Sequence, residues 1–165
     1  MLCSCQADSA AGALIRLAEL DGHPLNVADT VSFVSCQRLV RRLCPVCSRP
    51  AALAPEELAQ AKELASAGGL DWTSLPQALR EARGCPNCGM PGFAGRTALA
   101  ETMPINPEIA RLVRKDAPGN EIQQCAIRQG MTTCAANGTR HLANGETTLA
   151  EVLRVCRPEC SLGST

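Results

Sequence analysis

The chain has 165 residues, of which 45% are hydrophobic, and its sixteen Lys and Arg cancel its sixteen Asp and Glu. This length supports one ordinary domain or two small ones around a buried core, and the charge balance argues against a surface that is, as a whole, an electrostatic partner for nucleic acid or anionic lipid. With two Phe, one Trp and no Tyr, the core must be aliphatic, and Phe33, Trp72 and Phe93 are too few to stack a run of unpaired bases.

Residues 9–20, SAAGALIRLAEL, place Ala10, Ala13, Leu14, Leu17 and Ala18 on one stripe at helical spacing, with Gly22 as the stop. The following HPLNVADTVSFVS is ambiguous between a short helix and a buried strand. QRLVRRL reads either as an extended segment that puts Leu39 and Leu43 on the face of Arg41, or as the end of a helix. In APEELAQAKELASAGG, Pro55 stands where a first helical turn tolerates it, acidic residues follow at the positive end, and Gly68 and Gly69 terminate. A weaker helix is expected over SLPQALREA, and GFAGRTALAETM reads as a turn followed by a strand.

Three helices are expected to complete the chain. Asn106 and Pro107 form a cap and first turn before Ile109, Leu112 and Val113; Pro118 precedes a helix over 121–129 that Gly130 ends; Thr148 and Glu151 form a capping-box pattern before Val152 and Leu153. Asn137-Gly138 and Asn144-Gly145 are read as turns.

Nothing in the chain is an apolar run of about 18 residues that could span a bilayer, and MLCSCQADSAAGALIRL lacks the basic opening of a secretory signal. A cytoplasmic location is therefore expected. The eleven cysteines are an odd number without an export signal, which favours thiols or metal ligands over a disulfide framework.

Four of them stand in two Cys-Pro-x-Cys pairs, Cys44 with Cys47 and Cys85 with Cys88. Two Cys separated by two residues let one tight turn offer both sulfurs to the same ion, and two such knuckles complete a tetrahedral, all-cysteine zinc site. Gly89, directly after Cys88, permits the positive φ that turns backbone N–H groups toward the thiolates. With every coordination position filled by protein, the zinc is structural and ties the helical insert to the chain at its base. A redox role fits poorly, because such a motif occurs once, ahead of a helix, in a βαβ unit.

The other cysteines, Cys3, Cys5, Cys36, Cys125, Cys134, Cys156 and Cys160, show no second metal spacing, and Cys125 reads as a small buried hydrophobe. His23 and His141 read as ordinary surface or capping residues. No acidic residue falls between Asp29 and Glu56, whereas Arg38, Arg41, Arg42 and Arg49 do. The alternative function is accordingly a free-standing zinc module that binds nucleic acid through Arg38, Arg41 and Arg42; the neutral total charge and the scarcity of aromatics weigh against it.

QRLVRRLCPVC, GCPNCGMPGFAGRTALAE, IRQGMTT and ANGTRHLANGETTLAEVLRV, in that order, resemble the C-terminal part of the type II secretion and type IV pilus assembly ATPases, from about Ala10 to Val155. The resemblance implies an α/β, mostly helical chain in three parts: residues 1–43 as the last portion of a RecA-like ATPase domain, 44–92 as a tetracysteine zinc-binding module, and 93–165 as a helical C-terminal subdomain. Cys44, Cys47, Cys85 and Cys88 match the family's zinc ligands one by one.

The resemblance also implies partners: the subunits of a hexameric motor at the cytoplasmic face of the inner membrane, and inner-membrane platform proteins, with no nucleic acid. Nucleotide binding in this family requires G-x-x-x-x-G-K-[ST], whose backbone and lysine hold the phosphates. The only lysines, Lys62 and Lys115, do not follow a glycine, and the Mg²⁺-organising acidic motif is expected upstream of Met1. Gln6 and Asp8 stand where the family has His and Asn. The expectation is a non-catalytic, zinc-bearing part of such an ATPase, serving assembly or docking, without ATP hydrolysis of its own. Leu14, Leu17, Val31 and Phe33, lacking upstream strands to cover them, are expected to promote self-association.

Overall fold

The computed structural model describes residues 1–156; Cys160 lies outside them. Two units emerge, each assembled from separated stretches of chain: Met1–Cys36 with Ala100–Thr133, and Gln37–Leu99 with the stretch that begins at Cys134.

In the first unit, α1 (Ala10–Asp21) starts where Ser9 accepts the Gly12 N–H and stops where Gly22 adopts a φ of 72°. The ambiguous segment after it is helical first and extended second: α2 (Pro24–Thr30) opens on Pro24, and Val31 ends it in extended backbone. The same unit holds α4 (Pro107–Arg114), capped by Asn106 through the N–H groups of Glu108 and Ile109, and α5 (Gly119–Arg128). Helix α1 packs on α2 and α5, and α4 on the same two. Their core gathers Leu14, Val27, Met103, Ile109, Ile122 and Cys125.

Leu14 is completely buried there, and Leu17 and Val31 pack against the same core. The expected loss of cover at these residues is thus corrected: α4 and α5, from the distant half of the sequence, supply it. Phe33 alone of the four stays open, 56% exposed. Buried Glu101 accepts the Ala10 N–H at 2.7 Å, placing a carboxyl group at the positive end of α1. In α5, Cys125 is buried as expected, and burial, with Glu108 adding to it, pushes its thiol above the ordinary range.

The second unit is organised around α3 (Pro55–Ala67), α6 (Cys134–Ala143) and α7 (Leu149–Val155). Val40, Leu64, Trp72, Leu99, Leu142 and Val152 share its core. Four helices rather than three follow residue 104 among the described residues. The unforeseen one, α6, runs straight through Asn137-Gly138, a pair that reads as a turn in isolation. Gly138 serves packing there: a Cβ on it would stand 2.5 Å from a Val152 methyl and 3.1 Å from one of Leu99. Tertiary contact between α6 and α7 thus overrides the local turn preference. Asn144-Gly145 does turn, with Gly145 at a φ of 70°.

The helix expected over SLPQALREA is also absent. A 3-10 turn at Trp72–Ser74, capped by Asp71, leads through irregular chain to β3 (Arg80–Glu81). Burial of Trp72 and the presence of Pro76 explain this, because proline disfavours the helical conformation in the residue before it.

Strand β1 (Phe33–Leu43) settles the reading of QRLVRRL as extended, and it pairs with β4 (Phe93–Pro104) in a two-stranded sheet. Along β1, Cys36 and Val40 are buried, while Leu39 is exposed beside Arg41. Leu43 is buried at the strand end, so it does not share the exposure of Leu39 and Arg41.

Candidate metal centre

The four sulfurs converge because the chain on the far side of each knuckle is paired. Strand β2 (Arg49–Pro50), directly after Cys47, runs antiparallel to β3, which leads into Cys85, with Arg49 opposite Glu81 and Pro50 opposite Arg80. Two further locks hold this ladder. Arg80 Nε donates to Ser48 Oγ at 2.9 Å and its Nη2 to the Ser48 carbonyl at 2.6 Å, while the Ala51 N–H donates to the Leu79 carbonyl. The first knuckle also ties directly to the second, since the Cys44 N–H donates to the Gly92 carbonyl at 2.9 Å.

The second knuckle is a 3-10 turn, Pro86–Cys88, followed by Gly89 at a φ of 67°. The expected positive φ at Gly89 is present, but the N–H groups that reach Cys88 Sγ are those of Cys85 and Gly92, at 3.4 and 3.3 Å. Two glycines permit the fold-back. Gly84, at a φ of 100°, passes so close to Met90 that a Cβ would lie 2.2 Å from its carbonyl oxygen, and a Cβ on Gly92 would lie 2.7 Å from that of Ala82. Neither position tolerates a side chain without moving backbone.

Cys44, Cys47, Cys85 and Cys88 present sulfurs that all lie within 4.8 Å of one another, Cys44 buried and the others half-buried. The Cys85–Cys88 and Cys47–Cys88 separations are 3.8 and 4.0 Å. In a tetrahedron with metal–sulfur bonds of about 2.3 Å, neighbouring sulfurs stand about 3.8 Å apart, so the cluster can hold a metal ion with little adjustment. Electrostatics favour ligation as well. Burial opposes ionisation of Cys88, but the N–H groups of Cys85 and Gly92 and the neighbouring thiols overcome it, and its pKa falls to about 6. The Cys47 thiol is pushed up to about 11 by burial, with the other three thiols reinforcing the shift. Cys88 is therefore readier than Cys47 to bind a cation.

No other group of His, Cys, Asp and Glu among the described residues offers a comparable cluster. His23 occupies the cap position of α2 without a side-chain bond there, and His141 Nδ1 pairs with Glu146 at 2.9 Å.

The arginines of the alternative, nucleic-acid-binding reading are separated by their own strand. Successive side chains of β1 alternate between faces, so Arg41 points away from the side that carries Arg38 and Arg42. Arg41 Nη2 instead donates to Glu151 Oε1 at 2.8 Å, and its guanidinium lies 4.1 Å above the Phe93 ring. Sequence reasoning placed Glu151 only in a capping box. Thr148 does accept the Glu151 N–H, but the Glu151 carboxylate turns inward, is buried, and accepts from Arg41 and Arg154. Burial disfavours its charge, yet the Arg41 and Arg154 bonds prevail and hold its pKa at about 2. An acid in the first turn of an otherwise apolar helix, one turn ahead of an arginine, was the available signal.

This chain belongs to the Type II/IV secretion system protein family, which matches residues 1–154. It is 33% identical over 159 residues to the type IV pilus assembly ATPase PilB of Myxococcus xanthus, covering 96% of this chain and 27% of that protein. Identity of 32% extends over 157 residues to the type II secretion system protein HxcR and over 159 residues to type II secretion system protein E, both of Pseudomonas aeruginosa. These matches cover 95% and 96% of this chain but 28% and 30% of those proteins, so the chain spans less than a third of the length of such relatives. Among the described residues, no helix is long and apolar enough to cross a membrane.

Proposed function

We propose that this chain is the zinc-bearing C-terminal part of a type II secretion or type IV pilus assembly ATPase, serving assembly or docking of the motor and not hydrolysis. The observation that carries the reading is the convergence of four thiols in a chain whose family match runs nearly end to end. An all-sulfur tetrahedral donor set is the signature of zinc or an iron–sulfur cluster, and two Cys-x-x-Cys knuckles of this spacing suit a single zinc ion. Cys44, Cys47, Cys85 and Cys88 hold it, and the ion, having no open position, supplies cross-linking strength in place of catalysis. Residues 44–92 form the module that it closes.

Absence of hydrolysis by these 165 residues is supported by their lack of a glycine-rich phosphate loop: Lys62 lies within α3 and Lys115 at the end of α4. The proposed partners are other motor subunits and inner-membrane platform proteins, which hold the chain at the cytoplasmic face of the membrane. Elemental analysis of the purified chain should return one zinc per molecule, and a chelator should lower its melting temperature. Less than a tenth of an equivalent of zinc, with melting indifferent to chelator, refutes the metal assignment. Magnesium-dependent ATP turnover above buffer by the same preparation refutes the non-catalytic one.

A further inference from the structure

A groove of about 440 Å³ in the second unit is lined by Leu39, Arg41, Arg96, Glu151 and Arg154, and neither the metal centre nor the secretion reading uses it. Three guanidinium groups face one carboxylate, leaving two positive charges uncompensated. The arrangement is rigid where it is buried and open where it is charged. Glu151 accepts from the Arg41 N–H at 2.9 Å, from Arg41 Nη2 at 2.8 Å and from Arg154 Nη2 at 3.1 Å, and Arg154 Nη2 also donates to the Leu39 carbonyl.

These bonds, with the Phe93 ring beneath Arg41, fix two guanidinium planes by one edge each. A guanidinium carries five donors, and both side chains remain about half exposed, at 51% and 55%. Donors on their outer edges are therefore available at little further entropic cost. Arg96 is exposed and has no acidic partner among the described residues.

We infer that this groove binds a phosphoryl dianion. Two surplus charges match a dianion better than a single carboxylate, and pre-oriented guanidinium forks suit the bidentate geometry of phosphate oxygens. The group that Glu151 positions is the arginine pair; Arg96 is the free arm that closes on the ligand. Two sources share this chemistry, a free phosphate compound and the phosphomonoester headgroup of a lipid such as phosphatidic acid.

Calorimetric titration of inorganic pyrophosphate into the full chain tests the inference. Vesicles of phosphatidic acid, a phosphomonoester, in phosphatidylcholine and a hexaglutamate peptide are run in parallel. Saturable binding of pyrophosphate, of the anionic vesicles, or of both is expected, and Arg96→Gln should weaken it about tenfold or more without altering melting or metal content, because Arg96 holds nothing in place. Arg111→Gln, an exposed change in the other unit, should leave it unchanged. Binding of pyrophosphate alone identifies a free phosphate compound as the source; vesicle capture that pyrophosphate displaces and Arg96→Gln abolishes identifies a headgroup. Failure of both phosphoryl probes to bind, equal weakening by Arg111→Gln, or hexaglutamate binding as tight as pyrophosphate overturns it. Each of these readouts is independent of the zinc analysis, so the two proposals fail separately.

Discussion

Replacing Glu151 by Gln preserves shape and removes one charge at the centre of the second unit. The wild-type carboxyl titrates at about 2 in place of its ordinary 4.5, and at about 1.4 kcal/mol per pKa unit this difference is worth about 3 kcal/mol of folding stability at neutral pH. The carboxylate is buried, but its Arg partners are half exposed; solvent screening of that side of each pair brings the expected loss to about 2 to 3 kcal/mol. Because the folded pKa is depressed, the contribution is fully present above the unfolded value of 4.5 and is lost as pH falls toward about 2.

Urea unfolding of wild type and Glu151→Gln at pH 7 and pH 4 measures it, with the cysteine cluster common to both proteins. The gap should be about 2 to 3 kcal/mol at pH 7 and narrower by up to about 1 kcal/mol at pH 4. A gap below about 0.5 kcal/mol at pH 7, or one that widens on acidification, refutes the claim that Arg41 and Arg154 more than offset the burial of this charge.

Two other substitutions probe the metal centre. Cys85→Ser should abolish stoichiometric zinc and cost the insert over residues 44–92 most of its order, because the binding free energy of a structural metal is folding free energy; metal analysis and circular dichroism read this, and unchanged zinc and melting would disprove the ligand assignment. Gly84→Ala leaves every sulfur in the sequence but forces a Cβ to 2.2 Å from the Met90 carbonyl at a φ of 100°. Strain and displacement of about 3 kcal/mol or more should weaken zinc retention against a competing chelator at least tenfold, and retention equal to wild type would show that the second knuckle does not depend on this close approach.

Much of this chain is legible from local chemistry. Caps and stops are short-range devices, so Gly22, Asn106 and Gly130 mark helix ends in sequence as they do in the fold. The paired-cysteine pattern is equally local, because two residues between cysteines define a knuckle whatever surrounds it. The misreadings share one cause. Asn137-Gly138 looks like a turn until Val152 and Leu99 press on the glycine, and SLPQALREA looks helical until Trp72 is buried and Arg80 is recruited by Ser48. Each depends on a partner far away in the chain, which no window of neighbouring residues contains.

By itself, then, the sequence determined the ends of several helices, which cysteines stand in the two Cys-Pro-x-Cys pairs, and the family that their order reveals. Only the tertiary structure decided that α1 and α2 are covered by α4 and α5 while α3 shares a core with α6 and α7. It alone gave Glu151 its buried place between Arg41 and Arg154. The physical reason is that capping and knuckle geometry are set by φ and ψ over a few residues, whereas burial and ion pairing are set by which distant surfaces exclude water together.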